Sequence, residues 1–277
     1  MLKFGTGGRP LSTVGGSSVH GIKRIRELNL DCMEIEWVHG APKSSNIKPL
    51  EQAKTESEKE PKVVLSCHGS YYINLAGDDK IAESSKQRIF NAAKALTIAG
   101  GRNVVFHPAF YKDIDPIEVH KIVVDSLEFV NEMLGDAGIS GYILRPETTG
   151  KPTQYGSLEE IVKLSKESRN TAPCIDFAHL HARSAGEYNM YTEFAKVLEF
   201  VGSELGDSGL QDMHIHLSGI EYTAKGERKH LPLEESDMNY KDLLKALKDF
   251  DCSGTVICES PILEEDAKLM KDYYLSL

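Results

Sequence analysis

The 277-residue sequence has no long uninterrupted apolar run and no apolar leader. No stretch approaches the ~18 consecutive apolar residues that a membrane-spanning helix needs. The first residues run into glycines, where a signal peptide would carry an apolar core. We therefore expect a soluble protein that has no membrane partner.

Cysteine is scarce: the five cysteines include no C-x-x-C pair and are odd in number. This argues against a disulfide framework and against a zinc site built from thiolates. A reducing compartment, and hence a cytoplasmic location, is the expectation.

Positive charge is also in deficit, because 32 Lys and Arg against 42 Asp and Glu give a formal net charge of −10. Such a balance disfavours a protein that holds a polyanion through non-specific phosphate contacts. A polyanionic substrate would have to be attracted by a locally positive site.

The sequence does contain a regular alternation of β-rich apolar runs and helical patterns. About eight strand-then-helix units follow one another without a break, and the length is close to the roughly 250 residues of an α/β barrel. We predict a single (β/α)8 TIM barrel domain over residues 1–277, with parallel strands buried on both faces.

Local signals place several helices and one long connection. Asp115-Pro116 and the capping box Ser157 to Glu160 mark two helix starts. The polar segment 43–62 is predicted to be a partly helical surface connection. Four histidines without a strand-end position are expected at the surface: His20, His39, His120 and His181.

Residues of metal-ligand type end six successive predicted strands: His68, His107, Glu147, Asp176, His216 and Glu259. In a parallel barrel these strand ends converge on one mouth, where the chemistry is found. Imidazole and carboxylate without thiolate indicate zinc, manganese, iron or a similar divalent metal. Because one catalytic zinc takes about three protein ligands, the set suggests two or three ions, a device for displacement at phosphorus.

Short motifs around these residues resemble, in order, the signatures of the endonuclease IV family. They are His68-Gly69-Ser70-Tyr71-Tyr72-Ile73-Asn74-Leu75, Phe106-His107-Pro108, Pro146-Glu147-Thr148-Thr149-Gly150, Cys174-Ile175-Asp176-Phe177-Ala178-His179, His216-Leu217-Ser218-Gly219 and Cys258-Glu259-Ser260. The resemblance covers about residues 60–265 and implies a zinc-dependent apurinic/apyrimidinic endonuclease. Such an enzyme cleaves double-stranded DNA on the 5′ side of an abasic nucleotide, leaving a 3′-hydroxyl and a 5′-deoxyribose phosphate.

The resemblance also implies a role for each matching residue. Glu147 would bridge two ions and, with Glu259, be catalytic. The ligands of the first ion would be His68 and His107, and those of the second Asp176, His216 and Glu259. The third ion would be held by His179, Glu227 and His230, and manganese could replace zinc. Tyr71 and Tyr72 match the family's DNA-contacting wedge, and no obligate protein partner is implied.

The sequence departs from the family pattern in three places. Glu227 stands three residues before His230 and fits only with a shifted backbone, so a dinuclear site stays open. The histidine usual near the N-terminus is missing. Glu36-Trp37-Val38-His39 does not resemble the family's Arg-bearing DNA-contact loop. These departures leave a non-catalytic DNA-binding relative as a further possibility.

A second interpretation uses only one ion. Glu147, Asp176, His216 and Glu259 match the ligand set of sugar isomerases and epimerases of the same barrel superfamily, with Trp37 as a platform for the sugar. His214 is expected to be a partner of a ligand or a packed core histidine. Five basic residues on the same loops could meet phosphates: Lys151, Arg183, Lys225, Arg228 and Lys229.

Overall fold

The computed structural model describes residues 1–42 and 47–277. Its strands are β1 Leu2–Gly7, β2 Cys32–Glu36, β3 Val64–His68, β4 Asn103–Phe106, β5 Ala109–Phe110, β6 Ile143–Pro146, β7 Gln154–Tyr155, β8 Cys174–Asp176, β9 Met213–Leu217, β10 Gly219–Thr223, β11 Gly226–Leu231 and β12 Gly254–Cys258. Its α-helices are α1 Ser18–Glu27, α2 Lys48–Ser57, α3 Asp79–Ile98, α4 Pro116–Asp136, α5 Leu158–Glu167, α6 Phe177–Arg183, α7 Tyr191–Leu205, α8 Asp207–Gln211, α9 Tyr240–Asp249 and α10 Glu264–Ser276.

Eight of these strands form one sheet in the order β6-β4-β3-β2-β1-β12-β9-β8. All neighbouring pairs in this sheet are parallel. The two ends of the sheet meet through an isolated parallel bridge between Glu147 and Cys174. The predicted (β/α)8 TIM barrel is therefore confirmed.

Local sequence chemistry sets the helix starts as expected. The Asp115 side chain caps α4 by accepting a hydrogen bond from the backbone N–H of Ile117 at 2.9 Å. Ser157 and Glu160 form a reciprocal capping box at the start of α5. The predicted connection 43–62 contains α2, and its residues 43–46 lie outside the described part of the chain.

Several short elements on the barrel rim have no clear sequence signal. Strands β10 and β11 form an antiparallel hairpin, and the two-residue strands β5 and β7 pair with each other. Helix α6 begins directly at the end of β8, where the Asp176 side chain accepts a hydrogen bond from the backbone N–H of His179. Within the described ranges, no helix is long and apolar enough to cross a membrane.

The expectation that four histidines lie at the surface is wrong for two of them. His20 and His39 are exposed. His120 is buried on α4, where its ring nitrogens lie 2.6 Å from the Tyr155 hydroxyl and 2.9 Å from Glu167. His181 is fully buried on α6 and contacts Asp237 at 3.1 Å. Both face inward from a helix, a position that a search of strand ends overlooks.

Candidate metal centre

The carboxyl ends of the barrel strands surround a pocket of about 420 Å³. Its walls are formed by Gly7, Glu36, His68, Tyr71, His107, His179, Glu227, His230 and Glu259. Glu147, Asp176 and His216 lie beneath it and are fully buried. The structure thus brings together all nine residues that the sequence suggested as metal ligands.

The Glu147 carboxylate is at the centre of this arrangement. Its Oε2 lies 3.2 Å from His68 Nε2 and 3.1 Å from His107 Nε2. Its Oε1 lies 3.1 Å from His179 Nδ1 and 3.5 Å from His216 Nδ1. One carboxylate therefore faces four imidazole rings, which is the position that a bridging ligand would need.

Five sets of potential ligand atoms, each within 4.8 Å of one another, share members around this centre. Two of them contain residues that the sequence did not suggest as ligands: Cys174, His214 and His216; and Glu34, Glu36 and Glu259. The other three are His68, His107 and Glu147; Glu147, Asp176, His216 and Glu259; and Asp176, His179 and His230. Since Glu147 and Asp176 each belong to two of these three sets, the three sets are contiguous. Their donors are imidazole and carboxylate only, which suits zinc or a similar divalent ion.

Unpartnered buried atoms provide a test of whether the residues fit a metal. Three buried atoms, Glu147 Oε1, Asp176 Oδ2 and His216 Nδ1, have no hydrogen-bond partner among the described residues, and neither do His216 Nε2 and Glu34 Oε1 behind them. Buried polar atoms are nearly always hydrogen-bonded because leaving them unpaired is costly. All three belong to the four-residue set, so a cation there would satisfy them at once.

The backbone holds three of the histidines in one orientation. The Nδ1 atoms of His68, His179 and His230 lie 2.9, 2.9 and 3.1 Å from the carbonyl oxygens of Gly69, Thr148 and Glu259. A carbonyl oxygen only accepts, so Nδ1 carries the proton in each ring. The lone pair of each Nε2 is therefore available to a metal, as is usual for histidine ligands.

A β-bulge explains how Glu227 and His230 reach the same pocket. Residues three apart on a regular strand point to opposite faces. In the hairpin, Tyr222 pairs with Glu227 and Glu221 pairs with Lys229, so Arg228 is an extra residue. Glu227 consequently approaches His179 Nε2 at 3.5 Å and His230 Nε2 at 4.0 Å.

A glycine permits the same approach from the facing loop. A Cβ atom at Gly150 would lie 2.7 Å from the Cβ of Glu227 and 3.0 Å from the ring of His179. Both distances are too short for ordinary contact, so a larger residue would push the hairpin away from the pocket. Gly150 is thus required for the close packing of the hairpin against the barrel.

The histidines and carboxylates of the site shift one another's pKa values because they lie close together. Burial alone would lower the pKa of His68, but Glu147 reverses this and raises it to about 10. Burial would raise the pKa of Glu259, but His216 lowers it to about 2. The neighbouring histidines likewise hold the pKa of Glu147 well below its usual value. In the metal-free protein at neutral pH, imidazolium groups therefore neutralise the carboxylates.

A pH dependence of metal binding follows. Because a metal must displace the proton from His68, we expect zinc binding to release protons between pH 6 and 8 and to tighten about tenfold per pH unit for each proton released. Calorimetry in buffers of different ionisation enthalpy measures this release. A binding enthalpy that is the same in all buffers would contradict it.

The stability of the metal-free protein against unfolding also depends on pH, through His68 and Glu259. His68 has a pKa raised from 6.5 to about 10, so its stabilising contribution is complete below pH 6.5 and is lost as the pH rises to about 10. Glu259 has a lowered pKa, so its contribution is present above pH 4.5 and is lost as the pH falls to about 2.

Two carboxylates near the centre were missed by the sequence interpretation. Glu36 ends β2 and lines the pocket with an exposed side chain, where partial desolvation and the charges of Glu34 and Glu259 raise its pKa. Glu34 is fully buried two residues earlier, on the same side of the strand. The strand-end rule that found six other residues would also have found Glu36.

The aromatic pair predicted to contact DNA lies on the pocket rim. Tyr71 and Tyr72 have 64% and 60% of their surface exposed. Tyr71 lines both the metal-centre pocket and an adjacent groove, which also contains Tyr72, Lys80, Arg88 and Phe110. An exposed aromatic surface that contains two basic residues is therefore continuous with the pocket.

Three of the basic residues proposed to meet phosphates have partners within the chain. Arg183 donates hydrogen bonds to the carbonyl oxygens of Lys151 and Gln154. Arg228 and Lys229 both form ion pairs with Glu221. Lys151 and Lys225 are exposed.

The fold is a parallel (β/α)8 barrel with imidazole and carboxylate side chains at the carboxyl ends of its strands. A family model described as a xylose isomerase-like TIM barrel matches residues 22–273, and the chain belongs to this family. The assignment to this superfamily from the sequence motifs is thereby confirmed. The superfamily is enzymatic.

One protein is similar to this chain in sequence, and two solved structures are similar to it in fold. An uncharacterized protein of Methanocaldococcus jannaschii is 45% identical over 100% of this chain and 98% of its own length. Endonuclease IV from Thermus thermophilus has a TM-score of 0.75 at 18% identity, covering 98% of this chain and 100% of that one. A D-tagatose 3-epimerase-like protein has a TM-score of 0.68 at 22% identity, covering 95% of this chain and 97% of that one. At these identities, both structural likenesses establish the fold alone.

Proposed function

We propose that this protein is a metal-dependent phosphodiesterase that cleaves duplex DNA 5′ to abasic sites, leaving a 3′-hydroxyl and a 5′-deoxyribose phosphate. The proposal requires two or three divalent ions, zinc by preference with manganese as a possible substitute. The observation that carries it is the histidine content of the pocket. His68, His107, His179 and His230 all line the pocket, beside the set of Glu147, Asp176, His216 and Glu259.

The additional histidines distinguish this site from a one-ion site. Four protein ligands already fill most positions around a single ion. A sugar isomerase or epimerase needs few further imidazoles, whereas a multinuclear phosphodiesterase needs all of them. The central place of Glu147, which faces four rings, supports sharing of ions between neighbouring positions.

The residues of this chain have separable roles in the proposal. His68 and His107 would hold one ion, and Asp176, His216 and Glu259 a second, with Glu147 between them. His179 and His230, with Glu227, would hold a third. Bound divalent ions would supply Lewis-acid activation of water and neutralise charge on the departing oxygen. Glu147 and Glu259 keep their carboxylates ionised at neutral pH because their pKa values are lowered.

The exposed tyrosines suit a substrate with a gap in its base stack. Extrusion of a nucleotide costs least where a base is already missing. Tyr71 and Tyr72 project beside the pocket, and Arg88 lies 5.7 Å from the Tyr72 ring. Aromatic faces with nearby basic groups stack nucleobases and contact phosphates. This local surface answers the objection raised by the net negative charge.

Replacement of Tyr72 tests the contact with DNA. Tyr72→Ala should weaken binding to an abasic duplex by about tenfold or more, since stacking contributes about 1–3 kcal/mol per base. Fluorescence anisotropy with labelled duplex measures the change. Phe129→Ala is the matched control, because Phe129 is an exposed aromatic on α4 that lines neither the pocket nor the groove. If the two variants bound the abasic duplex with equal affinity, Tyr72 would not be part of the DNA interface.

An incision assay tests the function itself. The protein is loaded with zinc and incubated with a duplex that contains one stable abasic analogue, and the products are resolved by length and end group. We expect a single cut 5′ to the lesion with a 3′-hydroxyl, abolished by a chelator. Absence of incision by metal-loaded protein would refute the proposal.

A one-ion sugar epimerase is the second candidate, because Glu147, Asp176, His216 and Glu259 form a four-residue set that one ion could occupy. The suggested sugar platform does not fit, since Trp37 has 9% exposure and packs in the hydrophobic core. Conversion of ketohexoses by zinc- or manganese-loaded protein, without DNA incision, would favour this candidate.

The cellular setting is a further part of the proposal. All five cysteines are free and buried, which suits the cytoplasm. The proposal includes DNA as the macromolecular partner and requires no obligate protein partner.

A further inference from the structure

A layer of polar side chains crosses the inside of the barrel beneath the metal centre. Barrel interiors are normally packed with bulky apolar residues. Here the strands place six buried polar residues inside: Glu34, Ser66, Asn103, Arg145, His214 and Thr255. Burying a carboxylate is costly unless it is paired and hydrogen-bonded, so this layer requires a reason.

Glu34 is the member of the layer that meets the metal centre. Its Oε2 accepts hydrogen bonds from Ser66 Oγ at 2.7 Å and from His214 Nε2 at 2.8 Å. Its Oε1 lies 2.9 Å from Nε2 of His216.

His216 lacks the backbone carbonyl contact that three other histidines of the pocket have. The Nδ1 atoms of His68, His179 and His230 each face a carbonyl oxygen, and His179 Nδ1 also lies 3.1 Å from Glu147 Oε1. In His216, Nδ1 lies 3.5 Å from Glu147 and 3.3 Å from Glu259, while Nε2 faces away from them. The atom nearest to this outer nitrogen is Glu34 Oε1 at 2.9 Å, where the other rings have a carbonyl oxygen; the contact is a close ion pair whose angle lies outside hydrogen-bond geometry.

We propose that Glu34 is a positioning residue that holds His216 with its proton on Nε2, so that Nδ1 is presented to the metal centre. The inference rests on the proposed multinuclear site. A carboxylate behind a ligating histidine fixes the ring and its tautomer and raises the basicity of the ligating nitrogen. In the metal-loaded protein Glu34 would thus take, for His216, the place that backbone carbonyls take for the other three rings.

The rest of the layer keeps Glu34 in place. Because His214 donates from Nε2 to Glu34, its Nδ1 must accept, and Thr255 Oγ1 lies 2.8 Å from it. Asn103 Nδ2 lies 3.4 Å from the same Nδ1 atom, and its Oδ1 accepts from Arg145 Nε at 3.0 Å. Arg145 then pairs with Asp212 at 2.9 Å, at the far end of the barrel. These hydrogen bonds fix the Oε2 side of Glu34, while Glu34 Oε1 and His216 Nε2 face each other without another partner among the described residues.

Zinc affinity of a Glu34→Gln variant is the test. The amide keeps the shape of the side chain but removes the charge, and we expect zinc to bind about 10–100-fold more weakly. A competing chromophoric chelator measures affinity, and chemical unfolding without metal measures stability. Glu56→Gln is the matched control, since Glu56 is a buried carboxylate that pairs with Arg26 and Lys59 away from the pocket. The control should bind zinc as the unaltered protein does.

The outcomes separate this inference from the proposed function. If the unaltered protein binds several ions and Glu34→Gln binds them equally well, Glu34 has only a structural role and the inference is overturned. If the unaltered protein binds no metal, the proposed function fails as well. Should Glu34→Gln not fold, long-range ¹⁵N spectra of the zinc-loaded unaltered protein decide. We expect His216 to carry its proton on Nε2, and a proton on Nδ1 would overturn the inference.

Discussion

Glu147→Gln should reduce incision of an abasic duplex by at least about 10³-fold, which corresponds to about 4 kcal/mol of transition-state stabilisation. It should also reduce the number of zinc ions bound per chain. Glu147 faces His68, His107, His179 and His216, all within 3.5 Å. An amide has nearly the same volume but brings no negative charge and only one oxygen, so it cannot bridge two cations.

Two measurements on this variant exclude a general loss of structure. Its circular dichroism should stay close to that of the unaltered protein, although its unfolding midpoint without metal should fall because the neighbouring histidines lose their ion-pair partner. Zinc content is determined on the same sample. Glu56→Gln, a buried carboxylate outside the site, should incise normally. A Glu147→Gln variant that cut DNA at the normal rate would show that Glu147 is not part of the metal centre.

Removal of bound metal should lower the unfolding temperature by about 8–16 °C. A ligand that binds only the folded state at about 1,000 times its Kd stabilises by about 4 kcal/mol, and each kcal/mol shifts the midpoint of a chain of this size by about 2–4 °C. Chelation also returns Glu147 Oε1, Asp176 Oδ2 and His216 Nδ1 to their unpartnered buried state. The stabilising contribution of the metals is therefore large.

Differential scanning calorimetry of zinc-loaded and chelator-treated protein measures this difference. Adding zinc back to the treated sample should restore the higher midpoint, and magnesium, which prefers an octahedral shell of oxygens, should not. Equal midpoints with and without chelator would mean that the cluster binds no structural metal.

Much of the fold could be predicted from the sequence because most barrel strands are short, largely apolar runs with a polar residue at or next to their carboxyl end. The strand that ends at His68 and the helix capped by Ser157 both have local signals that tertiary packing does not override. The rim hairpin lacks such a signal. The bulge at Arg228 that unites Glu227 with His230 depends on pairing with β10, which no local pattern specifies.

The sequence predicts most of the residues that line the metal-centre pocket, but it does not predict the polar layer inside the barrel beneath them. The strand-end rule identifies a residue such as Asp176 because all the strand ends meet at one mouth. It does not identify Glu34, which lies inside β2 and is stabilised there by His214 and Ser66 from other strands. Burial of His181 and His120 was missed for the same reason, since their partners are distant in the sequence.

The number of metal ions bound to each chain tests the central claim most directly. Native mass spectrometry of zinc-loaded protein, together with elemental analysis of the same sample, gives this number without reference to any substrate. The account predicts two or three ions per chain, held by the contiguous ligand sets around Glu147 and Asp176. A single ion that saturates the protein, or none, would contradict it.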